Sequence, residues 1–423
     1  MSVVTMFANT SESYQQEVLE EVQSIKENNA PGFNAFRTKI QKRKAGEKGL
    51  KITYDNIIAG GHSTPTSLKP DWNEPVADEE IASYVYPIRY RLPMIFDHGL
   101  IRDYKNRIPS AGNSLRRKLK NKLIAALKRL NRAFYSDGSG AVAYSTSSIS
   151  ALGSSSMNGD TTPATSAGHT KGTKWLKKNN WYQAINTSTG QPRGLFQVTA
   201  EGASSCTINL VSGTVSSGDP IVDVNTYNGY FRGLAWLISN VNRVIQAVST
   251  TDFPDLNSYG IDLAGAPLTF SIIEDLLAGL RIKNNAQVKD GKVLFLPPGQ
   301  ESVLRKSGQN LRVYNDASNV VKGISEDIDF GTNLTAILDA DMDEDRTYAV
   351  AYNEFGMLEE MELDELSMDG LEWHQLMGAN NSGSERYQRG IGWDGNLYRR
   401  GTALSSAFIY RASVTGVKTQ ATV

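Results

Sequence analysis

The sequence predicts an α+β protein in which helical and strand-rich regions are segregated along the chain. Three observations carry this. Asn113 to Gly140, "NSLRRKLKNKLIAALKRLNRAFYSDGSG", has the period of one long amphipathic helix. A strand-rich stretch precedes it, and short strands broken by turns follow it. Two further helical stretches then lead into a strand-rich tail, so strands and helices do not alternate as in a doubly wound sheet. The 423 residues suffice for more than one domain.

Ser11 to Asn28 is acidic and helical in period, with Val18, Leu19, Val22 and Ile25 on one face and Pro31-Gly32 at its end. A basic run follows: Arg37, Lys39, Lys42, Arg43, Lys44, Lys48 and Lys51. "KITYDNI" and "YVYPIRYRLPMIF" crowd β-branched and aromatic residues, so they read as strands. Pro87 and Pro93 predict edge strands, because proline cannot donate to a ladder. The Gly-, Pro- and acid-rich stretch between them is too long for an inert loop of a compact monomer. It predicts a two-stranded tongue that packs on another surface.

In the long helix, Leu115, Leu119, Leu123, Leu127, Leu130 and Phe134 form an apolar stripe, with Leu119 and Leu123 as core positions. Asn113 or Ser114 can cap its start, and "SDGSG" supplies glycine past its end. Its length would be roughly 33 Å. No acidic residue lies between Asp103 and Asp137, so the polar side, including Arg116, Arg117, Lys118 and Lys120, is cationic throughout. Ser145 to Gly172 reads as a loop or surface insertion. "WYQAI", "GLFQVTA", "SCTINLV" and "PIVDV" make a small all-β unit between Trp175 and Val224. "YFRGLAWLISNVNRVIQAV" and "TFSIIEDLLAGLRIK" read as helices, "DGKVLFLPPG" as a strand with a turn, followed by a short helical run to Lys306. "TYAVAY", "GMLEEMEL" and "AFIYRA" are strand-like.

Lys plus Arg is 44 and Asp plus Glu is 45, so a whole-protein basic signature for nucleic-acid binding is absent. Acid concentrates at Asp339 to Asp345 and at Glu354 to Glu372. Either these blocks are solvated faces, or they meet the basic blocks within one chain or between copies. The single Cys206 cannot form an internal disulfide, which suits a reducing compartment. Its replacement by serine is expected to cost only ~1 kcal/mol, since the volume barely changes. The N-terminus lacks a secretory pattern, and the most apolar stretch is broken by Asn240, Asn242 and Arg243, so no membrane span is expected.

His62, His98, His169 and His374 are not at metal-site spacing, and no phosphate loop, nucleophile elbow or zinc-protease motif occurs. His98 beside Asp97 reads as structural. "DADMDEDR" opens like a calcium loop at Asp339, Asp341 and Asp343, but Glu344 stands where glycine is needed and Val350 where the closing glutamate belongs. No catalytic, cofactor-binding or metal residue is therefore assigned.

The order of these pieces resembles the major capsid proteins of tailed double-stranded DNA bacteriophages, a fold shared with herpesvirus shells and encapsulins. "YVYPIRYRLPMIFDHGLIRDYKN" running into the basic helix and ending "LNRAFYSDGSG" is similar to that family's extended loop returning into its spine helix. "YFRGLAWLISN" and "DGKVLFLPPGQESVLRKSG" resemble its axial domain, and "DADMDEDRTYAVAYNEFGMLEEMEL" its return to the peripheral domain. The resemblance implies an N-terminal arm (1–44), an extended β-tongue (45–100), a spine helix of the peripheral domain (101–140), a Ser/Gly-rich loop with a small β insertion (141–224), an axial domain (225–345), and a return to the peripheral domain with C-terminal strands (346–423). It implies a structural protein, not an enzyme and without cofactor, that assembles in the host cytoplasm into an icosahedral virion shell. Its partners would be its own copies in hexamers and pentamers, portal, scaffold and decoration proteins, and packaged DNA bound non-specifically; no membrane is implied. Lys69, Asp71 and Trp72 near the tongue tip would lie at an assembly interface. An encapsulin-like compartment and another virion component, of tail or decoration type, are the alternative readings.

Overall fold

The computed structural model describes residues 30–44, 49–57, 79–97, 109–160, 172–202, 204–251, 256–284, 292–312, 335–366, 374–377, 383–400 and 406–413. The described chain begins with helix α1 (Pro31–Lys39), whose proline sits where a missing N–H costs nothing, and strand β1 (Gln41–Arg43). β2 (Leu50–Ile57) and β3 (Glu79–Val85) pair antiparallel with each other as a two-stranded ribbon. This is the base of the expected tongue. β4 (Ile88–Asp97) then leads to the long helix α2 (Pro109–Tyr135).

The next segment holds β5 (Ala141–Tyr144), β6 (Gly153–Asn158), β7 (Trp181–Ile185), β8 (Pro192–Ala200), β9 (Ser205–Gly213) and β10 (Pro220–Asp223). The sheet order is β5-β10-β7-β8-β9-β6. An antiparallel bridge from Ser145 to Gly159 then joins the two outer strands, with Asp160 N–H donating to Tyr144 O at 2.8 Å and Thr146 N–H to Asn158 O at 2.9 Å. The six strands thus curl into a barrel whose two outer strands meet end to end at this one bridge. The Ser/Gly tract read as a loop supplies β6, one wall of it.

Then come the four-residue helix α3 (Leu234–Leu237), the hairpin β11 (Val244–Ile245) and β12 (Val248–Ser249), β13 (Tyr259–Asp262), α4 (Phe270–Asn284), β14 (Lys292–Leu296), α5 (Pro298–Arg312), β15 (Thr335–Leu338) and β16 (Thr347–Ala351). β17 (Phe355–Leu366), β18 (His374–Met377), β19 (Gly383–Arg399) and β20 (Ala407–Tyr410) complete the described part.

Two mixed sheets organise the body. One has the order β1-β17-β19-β18, with β4 on the other side of β19 and Pro93 opposite Gly390. Among the described residues β4 pairs with β19 alone, which suits the Pro93 within it. The other sheet is β13-β20-β16-β14-β15, so strands from 346–423 are divided between the two. The central core lies where α1 and α2 meet these sheets. Phe33 and Phe36 of α1 pack against Phe134 of α2, and reach Phe231, Phe295, Phe355 and Trp393. Leu127, Leu130 and Phe134 are fully buried there, and Leu123 packs half-buried at its margin.

Two elements differ from expectation. α2 starts at Pro109, ahead of Asn113, and ends at Tyr135; its 27 residues span roughly 40 Å. Proline pre-sets the first helical residue, so neither Asn113 nor Ser114 is the cap. "YFRGLAWLISNVNRVIQAV" is not one helix. The Ser239 hydroxyl accepts the Val241 N–H at 3.2 Å, and the Arg243 guanidinium donates to the carbonyls of Ala235 (3.0 Å) and Trp236 (3.3 Å), closing the short α3. Gln246 and Ala247 take positive φ (52° and 69°) in the turn between β11 and β12.

Candidate assembly and charge surfaces

The acidic stretch "DADMDEDR" is a junction. Asp339 is buried and accepts the Gly32 N–H at 3.1 Å, the Tyr135 hydroxyl at 3.1 Å and the Asn131 amide at 2.8 and 3.0 Å. The same Asn131 amide reaches Asp341 at 2.9 Å, while its Oδ1 accepts the Phe33 N–H at 3.0 Å. Arg132 Nε sits 3.2 Å from Asp341. Lys174 Nζ lies 3.5 Å from Glu344 and 3.4 Å from the Met342 carbonyl. Gln300 ties the Glu344 carbonyl (2.8 Å) to that of Ser413 (3.1 Å). One turn therefore gathers α1, α2, the barrel, α5 and the C-terminal residues. Burial pushes the Asp339 carboxyl up, against the hydrogen bonds from Asp341, Asn131 and Gly32 that favour its charge. Burial, and then the Asp339 charge, drive the Tyr135 hydroxyl well above its ordinary value.

The second acidic block does the same for the N-terminal segment. Glu359 on β17 is buried and faces Arg37 Nε at 2.6 Å, Lys42 Nζ at 3.0 Å and the Trp393 indole N–H at 3.0 Å. Glu362, further out, meets Arg37 at 3.0 Å and Lys42 at 3.4 Å. The Arg37 charge holds the Glu362 carboxyl below its usual range. At both blocks, acid and base meet within one chain.

The cationic helix divides along its length. Near its C-terminal end, Arg129 pairs with Asp223 at 3.0 Å and Arg132 with Asp341. Both arginines line a cavity of about 20 Å³ with Ser136, Gly140 and Tyr230, room for a single water. Further toward the N-terminus, Arg117, Lys120, Lys122 and Lys128 are exposed. The side chains of Arg116, Lys118 and Leu119 lie outside the described ones.

The ribbon has two unlike faces. Leu50 and Ile52 pack with Val85, Leu358 and Tyr398, and Ile52 also meets Val248 and Leu256. The Ser83 hydroxyl donates to the Gln246 carbonyl. The opposite face carries Lys51, Thr53, Ala82 and Tyr84, with Tyr86 beyond it; the tyrosines are 47% and 58% exposed. Lys69, Asp71 and Trp72 fall outside the described residues, as do His62, His98 and His169 and the acidic N-terminal stretch before Ala30.

Sequence reasoning did not find Asn131, Asp339 or Glu359 as organising residues. A signal for the first was present: Asn131 is a polar residue set within the apolar stripe, between Leu130 and Phe134. Among the described residues no His, Cys, Asp and Glu group is placed to hold a metal ion, and no helix is long and apolar enough to cross a membrane.

No protein-family model and no curated protein matches this chain. Among solved structures, it is similar to a chain of the cyanophage A-1(L) capsid asymmetric unit, with 10% identity, 91% of this chain and 93% of that chain covered, and a TM-score of 0.47. It is similar to a chain from the capsid of an empty GTA particle, with 8% identity, 89% of each chain covered and a TM-score of 0.43. It is also similar to a chain from the capsid of the Myoviridae phage XM1, with 11% identity, 88% and 89% covered and a TM-score of 0.41.

Proposed function

We propose that this chain is the major capsid protein of a tailed double-stranded DNA phage, a structural subunit that closes on its own copies as hexamers and pentamers of an icosahedral shell. The observation that carries this reading is the ribbon of β2 and β3. One face is seated on the body, and the other offers a row of side chains ending in two largely exposed tyrosines. Large exposed aromatic rings on such a ribbon form a contact surface for a partner, and tyrosine is a residue type that anchors such contacts. In a closed symmetric ring each copy receives what its neighbour offers.

Within this reading, residues 101–140 with the β17–β19 sheet form a peripheral domain, and 225–345 the axial one. Lys69, Asp71 and Trp72 contact a neighbouring subunit. The exposed Arg117, Lys120, Lys122 and Lys128 offset the charge of packaged DNA without reading its sequence. The protein resides in the virion after assembly in the host cytoplasm with scaffold, portal and, where present, decoration proteins, and performs no catalysis. Electron microscopy of the purified chain, with assay of nucleic acid in any particles, tests this. Closed shells that hold DNA in infected cells are expected. Shells that hold a cargo protein instead would favour a compartment, and tubes or persistent monomers would sink the reading.

A further inference from the structure

We infer that the six-stranded barrel is a self-contained rigid body held by a polar clamp, and that it can undock from the rest of the chain without either part unfolding. Among the described residues its six strands pair only with one another, and the bridge between Ser145 and Gly159 brings the ends of the two outer strands together. Its interior is a cluster of its own, built on Met157, Phe196, Val198, Cys206, Ile208 and Leu210, and separate from the central cluster around Phe134. The chain enters on β5 and leaves on β10, which are paired neighbours with Ala141 opposite Val222. Entry and exit therefore form one neck, tied by Asn228 N–H to Ser139 O at 3.0 Å and by Arg129 to Asp223.

Away from the neck, the turn at 172–178 touches the body through charged and aromatic groups. Lys174 reaches Glu344 and the Met342 carbonyl, and the centre of the Trp175 ring is 4.7 Å from the Lys174 ammonium and 5.1 Å from the Arg132 guanidinium. The ion pair can be exchanged for water at modest cost because both partners keep some exposure, and the buried Trp175 ring is then the larger cost of opening. The clamp thus sets the pose of the barrel, and the neck is its pivot. Local opening of this kind, below the free energy of global unfolding, is the behaviour expected of separate cooperative units.

Amide hydrogen exchange on the purified full chain tests it, comparing wild type with Lys174→Ala and Lys174→Arg. In Lys174→Ala, exchange at residues 172–178 and 339–346 should rise at least tenfold while β8 and β9 keep wild-type protection; Lys174→Arg should restore slow exchange. Loss of protection in β8 and β9 together with 172–178 would overturn the inference, as would unchanged exchange throughout. Should Lys174→Ala not fold, graded urea on the wild type decides. Protection of β8 and β9 and protection of α2 and β16 must then be lost at different urea concentrations, and coincident loss overturns the proposal.

Discussion

At the residue scale, buried polar groups carry more of the architecture than their number suggests. Asn131 is fully buried and serves Phe33, Asp339 and Asp341 at once. Asn131→Ala would leave buried acceptors short of a donor, and chemical denaturation should register a loss of about 3 kcal/mol. Asn131→Asp should be worse at neutral than at acidic pH, because it sets a third carboxylate beside two. Cys206 lies inside the barrel, and burial pushes its thiol up to about 12. The sequence-level expectation of a nearly free serine replacement needs revision, since volume is not the only cost. A hydroxyl among Met157, Val198 and Ile208 lacks a partner, so Cys206→Ser should cost ~1–3 kcal/mol by denaturation. Native protein at neutral pH should also resist thiol alkylation until the barrel opens. Glu362 supplies a pH test. Arg37 lowers its pKa in the fold, so its contribution is complete above the ordinary glutamate range, roughly pH 4.3, and is lost as pH falls through the lowered value. Thermal melting of Glu362→Gln should therefore fall less steeply than wild type on acidification.

At the element scale, legibility followed periodicity. The stripe of α2 was readable because its residues repeat every three or four positions, and the barrel strands because turn residues punctuate them. The start of α2 was not, because Gly112 and Pro109 read locally as breakers although proline suits the first helical turn. The apolar run after Phe231 looked helical, yet its short helix is closed by an arginine side chain and its remainder turns back as a hairpin. Packing and charge on α2 can be separated experimentally. Leu127 is fully buried, so Leu127→Ala should lower subunit stability by ~2–5 kcal/mol, while half-buried Leu123→Ala should cost less. Arg117→Gln with Lys120→Gln should change melting little, since exposed charges contribute ~0–1 kcal/mol each. Their effect should appear in assembly yield or DNA retention, and shrink as added salt shortens the screening length below ~8 Å. Equal damage to melting from the two kinds of change would mean the cationic side is part of the subunit's own packing.

At the scale of the whole molecule, the tongue and the junctions set different demands. Deleting residues 60–78, beyond the described ribbon, should leave a folded subunit that assembles poorly, as circular dichroism and electron microscopy would show together. Outright unfolding, or normal shells, would refute the tongue as an assembly element. The order of regions was legible because each has its own composition. The junctions were not, because they join residues with no sequence proximity: Asn131 and Asp339 stand 208 positions apart. The same remoteness governs how the chain is made. Phe33 can meet Phe134 and Phe231 early, but its last ring partner, Trp393, is synthesised about 360 residues later. At roughly 5–20 residues per second that is an interval of roughly 20–70 s. During it, the nascent chain carries two incompletely sheltered phenylalanines while the strands of the barrel can already pair with one another. The segment of α1 is thus made long before the strand that completes its burial, which makes a holding chaperone most useful for that stretch of the chain.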